Sequence, residues 1–158
     1  MSWFVFSIKT SVFICVHLWL IVLARDGLIA LKTMALQQHF DDLLQEHIAN
    51  LPDWVAVHLE EIPVVVDDEP DDATLAMLGL SRRTSELCGL HTGIPITQRS
   101  VEHAWRLPDH IQLFRGPIKR VAKASRTSLS EQIRITLLHE IGHHFGLDED
   151  QLSELGYG

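Results

Sequence analysis

The chain has 158 residues, enough for one domain with a sizeable core, and combines 46% hydrophobic content with a formal charge of −8. Collagen, disulfide scaffold and polar disorder are excluded by these figures, and an acidic balance argues against nucleic acid as a partner, because phosphate contact needs a basic footprint. The two traits belong to different stretches. Residues 1–33 hold 22 hydrophobic residues and three bases against one acid, whereas residues 34–158 carry 10 bases against 20 acids. The two cysteines, Cys15 and Cys88, fall one in each stretch and read as free thiols.

Residues 10–24 are uncharged apart from His17, and extending them back to Trp3 reaches the roughly 20 residues a membrane-spanning helix needs, at the cost of including Lys9. No small-x-small cleavage site follows. Two readings of the 1–33 leader stay open: a membrane anchor, or upstream sequence ahead of a start at Met34. Arg25 and Lys32 would hold an anchored C-terminal domain on the cytoplasmic side, so the domain at 34–158 is expected in the cytoplasm either way, with membrane contact only if the leader inserts.

Leu36, Phe40, Leu43, Leu44, Ile48 and Leu51 share one helical face, and Asn50 and Pro52 end that helix. A short second helix carries Trp54, Val55 and Leu59. The β-branched run Ile62–Val66 predicts a strand, followed by a solvated acidic turn at Asp67–Asp72. Residues 73–80 read as a short helix, 88–97 as strand, glycine turn and extended segment, and 110–115 as a half-buried strand stopped by Gly116-Pro117. A basic helical turn spans Ile118–Lys123. Strands interspersed with helices make an α+β domain.

The last helix opens on the capping-box pattern Ser128–Glu131 and ends at Gly146. It contains His139-Glu140-Ile141-Gly142-His143, an HExxH match that composition alone supplies only about 0.04 times in such a chain. Residues four apart share a helix face, so both imidazoles can converge on one ion, with Leu137 and Ile141 on the opposite, apolar side. Glu140 flanks the expected cleft. Zinc still wants a third protein ligand and an open position. Glu149 stands where metzincins place theirs, and Asp148 is one residue early; either can serve, and Glu149 is preferred. His144 projects among apolar residues and reads as a buried structural histidine or outer partner. His39, His47, His58, His91, His103 and His110 show no ligand spacing.

The strings LLHEIGHHFGLDEDQLSELGYG at 137–158, LPDHIQLFRGP at 107–117 and VVVDDEP at 64–70 resemble the small bacterial metallopeptidase family with a minimal zincin-like fold. The resemblance covers the chain from about Met34 onward. It implies a compact α+β domain, a small mixed sheet with the HExxH helix packed against it. It also implies zinc as cofactor, His139 and His143 as ligands, a third ligand from Asp148 or Glu149, and Glu140 as the base that takes a proton from water. The implied partner is a peptide or protein substrate, held by main-chain pairing along an edge strand, for which Gln112–Arg115 is the candidate. Tyr157 is read as packing on the helix rather than as an oxyanion donor. A zinc-binding module without hydrolytic activity is the competing function. Peptide deformylase, with Cys88 as third ligand, lacks its glycine-rich segment here.

Overall fold

The computed structural model describes residues 9–82, 85–98 and 109–158, with side chains from Leu28 onward. It divides into two units, residues 1–39 and residues 40–158. The first helix, α1 (Lys9–Ala49), begins in the first unit and ends in the second. Among the described residues no helix is long and apolar enough to cross a membrane. Most of the 1–33 leader on which the anchor reading rests lies outside the residues whose side chains are described.

In the second unit, α2 (Asp53–Leu59) follows Pro52, and β1 (Val64–Asp67) leads to α3 (Asp72–Met77). Next come β2 (Gly89–Thr92), a single 3-10 turn at Ile96–Gln98 and β3 (His110–Phe114). Three helices close the chain: α4 (Arg115–Ser125), α5 (Leu129–His144) and α6 (Glu149–Glu154). The strands form one mixed sheet in the order β1-β3-β2, with β1 parallel and β2 antiparallel to β3. This is the expected α+β architecture.

One core holds these pieces together. Phe40 and Leu44 of α1, Val55, Ile62, Ile111 and Leu113 of β3, and Ile118 of α4 pack with Ile133, Leu137 and Ile141 of α5. Each such side chain contributes about 1.5–3 kcal/mol on burial, so the apolar side of α5 fixes that helix against the sheet. Ser128 caps α5 by accepting the Glu131 N–H at 3.1 Å. The other half of the predicted capping box is diverted, because Glu131 gives its carboxylate to Arg134 at 2.7 Å.

Two expectations are corrected. The strand ends ahead of Gly116-Pro117 as expected, but the helix expected from Ile118 begins already at Arg115, with Pro117 in its first turn, where a proline has no intrahelical N–H to lose. The acidic turn is exposed yet not left to water. Asp71 caps α3, while Arg82, Arg115 and Arg120 pair with Asp72, Asp68 and Glu69 at 2.9, 3.3 and 2.6 Å. Arg115 also reaches Asp41 at 2.7 Å, tying the end of α1 to the start of α4.

Candidate metal centre

The last two turns of α5 carry His139, Glu140, His143 and His144. The Nε2 atoms of His139 and His143 are 3.0 Å apart, with the rings edge to face. Each ring is oriented from behind by a backbone carbonyl: the Tyr157 carbonyl is 2.7 Å from His139 Nδ1 and the Leu147 carbonyl 3.1 Å from His143 Nδ1. A carbonyl can only accept, so both Nδ1 atoms donate and, in the neutral rings, both Nε2 atoms present lone pairs. Two lone pairs at that separation repel unless a cation lies between them. A tetrahedral ion with Zn–N bonds near 2.0–2.1 Å sets ligand atoms about 3.3 Å apart, close to what these rings adopt. The carbonyls behind them are the outer partners such ligands ordinarily have.

The reversal after α5 supplies the carboxylate. Gly146 takes a left-handed φ of +86°, and the chain then enters α6. Asp148 is the N-cap of α6: its side chain accepts the Gln151 N–H at 2.9 Å, and its own N–H donates to the Gln151 Oε1 at 2.9 Å. With Asp148 so engaged, Glu149 turns toward the histidines, 3.2 Å from His143 Nε2 and 3.9 Å from His139 Nε2. His139, His143 and Glu149 thus bring one nitrogen or oxygen each to a common point, a donor set that fits a divalent ion of the zinc class. The Asp148-x-x-Gln151 signature of this cap is readable in the sequence.

Glu140 lies elsewhere than on the rim of an open cleft. It is only 4% exposed and is pressed against β2, where a Cβ on Gly89 would come within 2.5 Å of its Oε1. Gly89 is what lets the carboxylate approach. Burial raises the Glu140 pKa to about 7, and the nearby His139 and a bond from the His91 backbone N–H oppose the rise.

Cys88 is partly buried against the core and joins no group of ligand atoms among the described residues; burial pushes its thiol up to about 11. That removes the observation on which a cysteine-ligated site would rest. Tyr157 packs on the helix as expected, its ring under the Arg134 guanidinium at 5.7 Å. The strand nominated to hold substrate is corrected: β3 is central and pairs on both sides, so its backbone has no free edge. Among the described residues β2 pairs only with β3 and lies beside Glu140. His103, like residues 99–108 as a whole, lies outside the described residues. His91 was passed over by spacing, yet its Nε2 is 3.2 Å from Nδ1 of His144, which is buried as expected at 1% exposure. No local signal could reveal that pair, because the two residues are 53 positions apart.

The sequence model of one family, described as zincin-like metallopeptidase, matches residues 59–158. No curated protein matches the chain.

Proposed function

Since the chain belongs to the zincin-like metallopeptidase family, we propose that it hydrolyses peptide bonds at a zinc ion held by His139, His143 and Glu149, with Glu140 as general base. The observation that carries this reading is the convergence of the His139 and His143 Nε2 atoms, 3.0 Å apart with both Nδ1 atoms committed to carbonyls, on the Glu149 carboxylate. Bound there, zinc supplies Lewis acidity, bringing the pKa of water from about 15.7 toward about 7.

The protein's own groups do the rest. Glu140, with its pKa raised to about 7, is matched to a proton transfer at neutral pH: it takes the proton of the attacking water and delivers it to the leaving amine. The Tyr157 and Leu147 carbonyls keep the two rings in the tautomer that offers Nε2. The partner this reading implies is a peptide or protein whose scissile bond would be presented to Glu140.

The burial of Glu140 favours the competing reading, a zinc-binding module without hydrolytic activity. One comparison separates them. The zinc-loaded chain is expected to cleave members of a mixed peptide library, and Glu140→Gln to lower that rate by roughly 10²–10⁴-fold while retaining its zinc. A fully loaded wild type that cleaves nothing supports the module.

A further inference from the structure

One residue beyond His143, a second set of donors converges. His144 projects about 100° further round α5, toward β2, where His91 meets it. The carboxylate of Asp109, immediately before β3, completes the set: one donor atom from each of His91, Asp109 and His144 lies within 4.8 Å of the other two. Asp109 is held in place, its Oδ1 accepting the Ile94 N–H at 3.3 Å. It also sits directly beneath Gly93, at φ +145°, where any Cβ would overlap the carboxylate.

We propose that His91, Asp109 and His144 form a second divalent-metal site of the zinc class, one that fastens β2 to the end of α5. The chemistry of the donors is the first argument, since two imidazoles and a carboxylate are a borderline N/O set suited to zinc. Likeness to the first pair is the second. Its facing nitrogens are 3.2 Å apart against 3.0 Å, and its rings meet edge to face at 5.2 Å against 4.5 Å. Both separations lie near the roughly 3.3 Å edge of a tetrahedral zinc site. The third argument is support from behind: ligating carboxylates are themselves hydrogen-bonded, and Ile94 does this for Asp109.

The placement assigns the role. His144 is withdrawn from water, and the three residues come from β2, the approach to β3 and α5, so an ion there cross-links three segments. Its effect on hydrolysis is indirect. His91 also offers its backbone N–H to Glu140, so fixing His91 fixes the strand against which that carboxylate rests. These are positioning residues.

Metal stoichiometry decides the matter. The full chain is stripped with a chelator, reloaded with Zn²⁺, dialysed and analysed for metal per chain, with Co²⁺ absorption as a second probe. The wild type is expected to hold two ions, His139→Ala/His143→Ala one, and His91→Gln/Asp109→Asn one. The first variant leaves the second cluster untouched, so its retained ion keeps the test valid even if the other variant misfolds. A wild type with one ion, lost entirely in His139→Ala/His143→Ala, overturns the proposal and reduces the His91–His144 contact to a hydrogen bond. One ion that survives in that variant and is lost in His91→Gln/Asp109→Asn upholds this site while removing the proposed hydrolytic centre.

Discussion

Two clusters of donors occupy adjacent faces of one helix, and they differ in how the chain assembles them. His139, His143 and Glu149 come from eleven consecutive residues, a helical turn plus the reversal that follows it. His91, Asp109 and His144 come from three separate segments and meet only because the sheet packs on α5. Exposure divides them as well. The side chains of the first cluster are 22%, 27% and 73% exposed, whereas His144 in the second is buried and His91 and Asp109 are half-buried. A locally encoded set with an exposed carboxylate suits chemistry, and a non-local set built on a buried histidine suits fastening. Glu140 stands between them, next to His139 in sequence and bonded to the backbone of His91 in space.

That position makes Glu140 the sharpest test of the contrast. Its folded pKa, about 7, lies above the ordinary 4.5, so the folded chain binds a proton that the unfolded chain releases between those values. Stability from this group is therefore present below about pH 4.5 and lost as pH rises through about 7, a penalty on the order of 3 kcal/mol. In the metal-free protein, Glu140→Gln should be equal to wild type at low pH and more stable by that order at pH 8. Urea unfolding at a series of pH values measures it, and parallel curves for the two proteins would sink the idea.

A smaller effect probes the outer support of the first cluster. Deleting Tyr157 and Gly158 removes the carbonyl that holds His139 Nδ1, and zinc affinity should fall by roughly 10–100-fold. The ion tied to His91, Asp109 and His144 should be unaffected. Competition with a chromogenic chelator separates the two affinities, and equal weakening of both would mean that the tail acts on the whole fold.

The first cluster was largely legible because periodicity, capping and metal-ligand spacing all act within a few residues. Ser128, Gly146 and the four-residue interval between His139 and His143 carry their meaning locally. The order of the strands was not legible. Nothing within HIQLF distinguishes a central strand from an edge strand, since alternation reports which faces are buried and not how many neighbours the backbone has. The depth of Glu140 was hidden for a related reason. Its position about 100° from His139 is fixed by the helix, but what covers that face is β2, some 50 residues earlier. Gly89, which makes room for the carboxylate, falls at the start of the strand expected in 88–97, and nothing local marks that close approach.

The choice between Asp148 and Glu149 turns on a neighbouring element, and it yields the smallest effect. Both are carboxylates within reach of the reversal at Gly146, and spacing alone does not separate them. Forming α6 does. Its first turn has orphan N–H groups, and Asp148, with extended backbone at φ −89° and ψ 174°, is placed to accept one of them. Glu149, one residue on, is left to turn toward His143. Asp148→Ala should therefore cost about 1 kcal/mol of stability, the usual worth of an N-cap, and leave the metal count unchanged. Glu149→Ala should do the reverse, sparing stability in the metal-free chain and stripping the ion held with His139 and His143. Thermal unfolding beside metal analysis of the two variants reads both quantities. Loss of the ion in Asp148→Ala with retention in Glu149→Ala would exchange their roles, and would mean that the capped geometry of α6 opens when metal binds.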